Sequence, residues 1–142
     1  MADRADPAAL RVLASGVGTG RVLVLDEPLS FWGGLDPETG LLIDAHHPQA
    51  GKRLAGRVVV LPSGRGSSSS SSVFAESIRA GTAPAAVVLG EADPIVALGA
   101  IVAAELYGIE VPVVVAARHG LASGETVTVH AAAGEPPRIA PG

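Results

Sequence analysis

The chain has 142 residues, a formal net charge of −4, a hydrophobic content of 48% and no cysteine. That length suits a single domain with a sizeable core. The lack of cysteine excludes disulfides, cysteine–zinc sites and cysteine ligation of an iron–sulfur cluster by this chain.

The charged and apolar residues are distributed in ways that exclude further classes. The basic residues are scattered and do not alternate with aromatic ones, which disfavours nucleic-acid binding. Apolar runs such as residues 111–117 are far shorter than the roughly 20 residues that a membrane-spanning helix needs. Residues 1–7 contain two acids and no apolar core, unlike a secretory signal. These features predict a soluble cytoplasmic protein.

The N-terminal part reads as a hairpin. Residues 1–9 are predicted to be a loose lead-in, and residues 10–14 and 21–25 have the apolar patterns of two strands. The glycine-rich segment 15–20 between them lacks the spacing of a nucleotide-binding loop and is followed by a strand pattern, so we expect a turn there.

An irregular segment over residues 26–40, here called the aromatic loop, contains Phe31 and Trp32, two of the four aromatic residues. Trp32 either anchors this loop in the core or forms a wall that faces a ligand, with Ser30 and Gly33 beside it. Residues 41–43 are predicted to form a short strand. The adjacent His46 and His47 would face opposite ways and make a poor chelating pair, so no metal site is predicted.

The remainder has the pattern of a βαβαβ unit. Residues 58–61, 85–89 and 111–115 are continuous apolar runs, typical of parallel strands buried on both faces. A helix is expected over about 68–80. A second helix is marked by Asp93 as N-cap, Pro94, an apolar stripe and Gly108 at its end. The stripe consists of Ile95, Leu98, Val102 and Leu106.

The C-terminal part is predicted to contain one more strand, over residues 125–130. Residues 131–142 contain three prolines and two glycines and are expected to form a loose tail.

The most informative stretch joins the strand at 58–61 to the following helix. It passes through Gly64, Arg65 and Gly66 into six serines, residues 67–72; residues 62–68 are here called the serine loop. A run of serines also suits a flexible linker, but a buried-type strand enters it and an apolar-periodic helix follows. Ser70 to Ser72 are interpreted as an exposed first turn of that helix.

The flanking residues of the serine loop favour a site for an anion. A helix start favours a negative ligand by roughly 0.3–2 kcal/mol, Arg65 offers a bidentate fork for a carboxylate, and the glycines permit close approach. Neither a phosphate-binding GxxxxGK[ST] nor a GxSxG elbow is present. What remains is a serine in the field of an arginine, able to act as a base or to orient a ligand.

Six segments together resemble the swivel domain, or small subunit, of aconitase X proteins: residues 26–40, 46–48, 54–57, 62–70, 81–85 and 98–105. The resemblance implies an α/β fold in which a swivelling β/β/α domain, over residues 10–130, holds the central βαβαβ unit and the hairpin-like β layer. It also implies docking on an aconitase X-type large subunit that ligates an iron–sulfur cluster, with the active site closing between the two chains.

The resemblance further implies that this chain is the small subunit of a hydro-lyase that dehydrates a small hydroxy acid. Ser67 matches the serine that takes a proton from carbon. The residues expected to bind substrate are Arg65, Gly66, Ser68, Ser30, Trp32 and Gly33.

The substrate expected from the resemblance is cis-3-hydroxy-L-proline. Residues 30–34 and 64–67 look closer to the bacterial enzymes acting on that compound than to archaeal mevalonate 5-phosphate dehydratases, which are the alternative. A non-catalytic anion-binding or regulatory module of the same fold is a further alternative. We expect this chain to bind neither nucleic acid nor membrane, and to supply no metal ligand of its own.

Overall fold

The structure is a computed structural model that describes residues 10–142; the predicted lead-in over residues 1–9 lies outside the described residues. Seven strands and two helices follow one another along the described chain. They are β1 (Arg11–Ala14), β2 (Gly16–Val24), β3 (Val58–Leu61), α1 (Ser69–Ala80), β4 (Ala86–Leu89), α2 (Pro94–Tyr107), β5 (Val113–Val115), β6 (Thr126–Ala131) and β7 (Arg138–Pro141).

The strands form one sheet in the order β1-β5-β4-β3-β2-β6-β7. Strands β2 to β5 are mutually parallel, whereas β1, β6 and β7 pair antiparallel with their neighbours. Continuous apolar runs at β3 and β4 are buried along their whole length, as expected for strands covered on both faces. The α/β class and the βαβαβ unit from β3 to β5 are thus confirmed.

Two separate cores cover the two faces of the parallel strands. Val59 and Leu61 of β3 pack with residues of α1 and α2, while Val58 and Val60 pack with residues of β6 and β7. This division follows from the alternation of side chains along a strand. The order of layers is therefore helices, parallel strands and an outer pair of strands, which is the expected β/β/α arrangement.

The predicted N-terminal hairpin is wrong. β1 pairs with β5, and β2 pairs with β3 and β6. The glycines of the expected turn lie inside β2. Glycine is required there because neighbouring backbone approaches β2 too closely for any side chain. A Cβ on Gly18 would lie 1.9 Å from the Ala85 carbonyl oxygen, and one on Gly20 would lie 2.3 Å from that of Gly56.

The second helix has the predicted ends, but its apolar stripe is not its buried face. Asp93 Oδ1 accepts hydrogen bonds from the backbone N–H groups of Ile95 and Val96. However, Leu98 and Leu106 of the apolar stripe are 50% and 67% exposed. The buried face consists of small and medium-sized residues, namely Val96, Ala97, Gly99, Ala100 and Ala103.

Close packing between the two helices explains this arrangement. A Cβ on Gly99 would lie 2.8 Å from the Ser71 carbonyl oxygen and 3.1 Å from Phe74 Cβ. Because α1 lies this near, only small residues of α2 fit between the helices, and the large apolar residues face outward.

Two shorter segments also differ from expectation. Arg138–Pro141 of the predicted loose tail form β7, which pairs with β6 and buries Ile139 in the second core. Leu41 and Leu42, expected within a strand, instead make isolated bridges to Arg53 and Leu35. Within residues 10–142, neither helix is long and apolar enough to cross a membrane.

Candidate active site

The serine loop lies where β3 ends and α1 begins, at the carboxyl edge of the parallel strands, where open α/β sheets generally bind ligands. The start of α2 lies against it. A Cβ on Gly64 would be 1.7 Å from Asp93 Oδ2, so only glycine permits this approach. Two helix starts therefore converge on one loop.

The two helix starts differ in how their backbone donors are used. Asp93 caps α2, whereas Ser68, the N-cap of α1, has helical dihedral angles and makes no capping hydrogen bond with its side chain. The Ser67 carbonyl accepts from Ser70 N–H at 3.0 Å. The start of α1 thus keeps its positive field without a capping oxygen, which favours an external anion.

Ser67 and Arg65 border a cavity of about 10 Å³ between the serine loop and α2, roughly the space of one water. Ser67 is half-buried, and Arg65 is exposed. The Arg65 backbone N–H donates to the Leu29 carbonyl at 3.2 Å. Among residues 10–142, no acidic side chain forms an ion pair with Arg65, so its guanidinium remains available for a carboxylate.

Ser70 joins the serine-rich helix start to the aromatic loop. Its hydroxyl lies 3.0 Å from Ser30 Oγ and accepts from the Trp32 backbone N–H at 3.1 Å. Ser70 is only 3% exposed, so its assignment to an exposed first turn is wrong. The physical reason is that α1 turns this side chain inward, on the same face as Phe74 four residues later.

The aromatic loop is anchored by Phe31, not by Trp32. Phe31 is buried, and its ring meets that of Phe74 edge-on with 5.0 Å between centroids. Trp32 is 60% exposed beside this anchor. Of the two interpretations of Trp32, the core anchor is therefore wrong, and its indole lies exposed at the surface.

The structure brings most of the predicted residues into one region. Arg65, Gly66 and Ser67 line the small cavity, and the Ser70 hydroxyl holds Ser30 and the Trp32 backbone next to it. The other two candidates, Gly33 and Ser68, are exposed at its edges.

The sequence analysis did not predict that Ser70 is buried and bonded to the aromatic loop. It also did not predict that Asp93 packs against Gly64 of the serine loop. The spacing of Ser70 from the apolar Phe74 is the signal that places both on the buried face of one helix. The contact of Asp93 with Gly64 depends on the packing of two distant segments and has no local signal.

The histidine pair has a structural place. The buried His47 bonds through Nε2 to the Glu27 carbonyl and accepts the Gln49 N–H at Nδ1. His46 is exposed. In the described part of the chain, no three His, Cys, Asp or Glu side chains are grouped as metal ligands.

Ser70→Ala is expected to loosen the aromatic loop, because the Trp32 N–H and the Ser30 hydroxyl lose their shared partner. Trp32 is the only tryptophan, so its fluorescence anisotropy reports this directly and should fall. Ser72→Ala, at an exposed position in the same turn, should leave the anisotropy unchanged. Equal values for the two variants would contradict the role of Ser70.

Fold and site together define a class: a β/β/α domain that presents a glycine- and serine-rich loop at an uncapped helix start. The family described as "Aconitase X swivel domain" matches residues 8–135. The chain belongs to this family.

Relatives and solved structures agree with that assignment. The chain is 50% identical over 103 residues to a cis-3-hydroxy-L-proline dehydratase of Pseudomonas aeruginosa, covering 72% of this chain and 18% of the relative. It is 39% identical over 127 residues to a phosphomevalonate dehydratase small subunit of Thermococcus gammatolerans, covering 88% and 92%. The crystal structure of Thermococcus kodakaraensis aconitase X (holo-form) superposes with a TM-score of 0.80 at 35% identity, covering 92% and 94%.

The relatives differ in length. The chain spans about a fifth of the cis-3-hydroxy-L-proline dehydratases that it matches, 18% in Pseudomonas aeruginosa and 21% in Hypocrea jecorina. It spans most of the Thermococcus gammatolerans small subunit, at 92%. The same domain is therefore found within long chains and as most of a short one.

Proposed function

We propose that this chain is the swivel subunit of an aconitase X-type hydro-lyase and supplies the base for dehydration of a small hydroxy acid. The observation that carries the proposal is the position of Ser67: it precedes an uncapped helix start and borders a cavity with Arg65. Membership of the aconitase X swivel family supports the same assignment.

In the proposed reaction, Ser67 Oγ takes a proton from a substrate carbon. The electron pair of that C–H bond forms a C=C bond, the neighbouring C–O bond breaks, and the hydroxyl leaves as water after protonation. A serine must approach an alkoxide to act in this way, and two features favour that charge: the start of α1 and the Arg65 guanidinium.

Arg65 and the backbone N–H groups of Gly66 and Ser67 would hold the substrate carboxylate. A guanidinium forms paired hydrogen bonds with a carboxylate, and such charge-assisted bonds are about twice as strong as neutral ones. The exposed Trp32 and Gly33, with Ser30 beside them, would form the opposite wall. Ser68, exposed at the helix N-cap, would add a hydroxyl at the rim.

An iron–sulfur cluster does not fit the residues of this chain. The sequence has no cysteine, and residues 10–142 hold no group of three alternative ligands. We therefore assign the cluster to a large subunit, where it would act as a Lewis acid on the leaving hydroxyl. The contribution of this chain is the base and the carboxylate site.

We assign cis-3-hydroxy-L-proline as the substrate. Identity to the Pseudomonas aeruginosa relative named for that compound is 50% over 103 residues, and identity to relatives named phosphomevalonate dehydratase small subunit is 48% over 93 residues and 50% over 80. The assignment therefore rests on the resemblance of residues 30–34 and 64–67 to the bacterial enzymes. Among residues 10–142, Arg65 is the cation that borders the small cavity, and a single guanidinium suits a substrate with a single carboxylate.

Mevalonate 5-phosphate is the second candidate. It is favoured by the match to 92% of the length of the Thermococcus gammatolerans small subunit. A phosphorylated acid carries more negative charge than hydroxyproline, so its phosphate would need cations from the large subunit.

Reconstitution tests the proposal. The chain is mixed with the aconitase X-type large subunit of the same organism, and cis-3-hydroxy-L-proline and mevalonate 5-phosphate are assayed separately for loss of water. Turnover is expected only when both chains are present, and faster with hydroxyproline. Turnover by the large subunit alone at the same rate would refute the proposal. Recovery of the chain from its native cells without any iron–sulfur protein would favour a non-catalytic module.

A further inference from the structure

The outward side of α2 is unusually apolar. Leu98, Ile101, Leu106, Tyr107 and Ile109 are each between 40% and 67% exposed, and they are here called the α2 face. Single exposed apolar residues are ordinary, but several within one helix and its end indicate an interaction surface.

A groove of about 480 Å³ runs along this face, between α2 and the edge strand β1. Its lining is almost wholly apolar and consists of Leu13, Ala92, Pro94, Ala97, Leu98 and Ile101. A groove of this kind accepts apolar side chains from another protein surface.

The charges carried by α2 and the residues that flank it are all acidic, and Arg79 of α1, which lies near Tyr107, is paired with Glu76. No Lys or Arg occurs between Arg79 and Arg118, whereas Glu91, Glu105 and Glu110 are all exposed. A matching partner would present apolar side chains surrounded by Lys or Arg. A second copy of this chain suits the face poorly, because it would bring another acidic rim to the contact.

The groove also adjoins the candidate active site. Ala92 and Pro94 line it, and Asp93 between them lies against Gly64 of the serine loop. A partner that covers the serine loop therefore reaches the groove without a gap.

We propose that the α2 face docks the large subunit, through an apolar ridge with a basic rim on that subunit. This inference rests on the proposed function, because it takes the large subunit as the partner. The relatives in which the domain is about a fifth of the chain are consistent with such a partner, since the remaining length can supply it.

The test is the affinity of the chain for the large subunit of the same organism, measured by biolayer interferometry. The double variant Leu98→Glu/Ile101→Glu is expected to raise Kd about 100-fold, because it places two charges in the apolar groove. The matched control is Val17→Glu, which changes a 53% exposed valine on β2 and should alter Kd less than threefold. Circular dichroism verifies that both variants are folded.

A second measurement does not depend on the apolar groove. Glu105→Lys/Glu110→Lys is expected to slow association at low salt by about tenfold, with the difference shrinking at high salt. Glu135→Lys, at another exposed acid, should have a much smaller effect.

The outcomes separate the inference from the proposed function. If the native chain binds the large subunit and the groove variant binds equally well, the inference is overturned while the proposed function stands. If the native chain forms no complex, both are overturned. A homodimer of the chain alone that the groove variant dissociates would assign the face to a second copy and overturn the inference.

Discussion

Ser67→Ala is expected to lower kcat of the proposed two-chain dehydratase by about 10²–10⁴-fold, the usual contribution of a positioned base. KM should change little, because in the proposed roles the hydroxyl acts on the carbon-bound proton in the transition state, whereas Arg65 and the loop amides would hold the carboxylate in both states. Steady-state kinetics with saturating large subunit measures both constants.

The matched control is Ser72→Ala, which removes an identical hydroxyl from an exposed position in α1, just after the serine loop. Its kcat and KM should equal those of the native chain. Binding of Ser67→Ala to the large subunit should also be unchanged, so that lost turnover is not lost assembly. Native-like turnover by Ser67→Ala would remove the base assignment while leaving the fold and the partner untouched.

The serine run illustrates how far the sequence leads toward this site. Six identical residues offer no distinction by type. Ser67 is distinguished as the candidate base by its neighbours Arg65 and Gly66 and by the family resemblance. The prediction that Ser70 is exposed is wrong because its burial depends on which side of α1 faces the aromatic loop. Six identical serines do not indicate which side that is. The apolar Phe74, four residues later on the same side of α1, does indicate the buried side of the helix.

The fold was predictable where a local pattern has one structural meaning. Continuous apolar runs predicted the parallel strands, and Asp93 followed by Pro94 predicted the start of α2. The apolar stripe on α2 predicted a helix correctly, but this stripe is not the buried face, because Gly99 brings α1 too close for large side chains. Periodicity detects an apolar side but does not say whether the domain itself or a partner covers it.

Strand pairing was the least predictable part. β1 and β2 are neighbours in sequence, so a glycine-rich hairpin was the natural expectation. In the fold, β1 instead pairs with β5, about a hundred residues later. β2 passes close to backbone that leads into β3 and β4, at Gly56 and Ala85. Glycines that permit such close passage have the same local pattern as glycines in a turn.

Gly18→Ala offers the sharpest test of that passage. Replacing glycine by alanine normally stabilises a protein by about 0.4–1 kcal/mol where the conformation permits it, and Gly18 has no positive φ angle. Here the added methyl would lie 1.9 Å from the Ala85 carbonyl oxygen, and overpacking of this kind costs about 1–3 kcal/mol or more. The contact is with backbone next to buried β4, so a loss of about 3 kcal/mol is expected.

The free energy of unfolding from urea denaturation, followed by circular dichroism, measures this loss. Gly66→Ala is the matched control, because it makes the same chemical change where no atom lies within 4 Å of the new Cβ and φ is not positive. It should leave stability unchanged or slightly raised. A loss of stability confined to Gly18→Ala would support the close contact of β2 with the Ala85 backbone. Equal stability of the two variants would contradict that contact and favour an open turn at residues 15–20. The sign of the difference therefore distinguishes a glycine kept for space from one kept for flexibility.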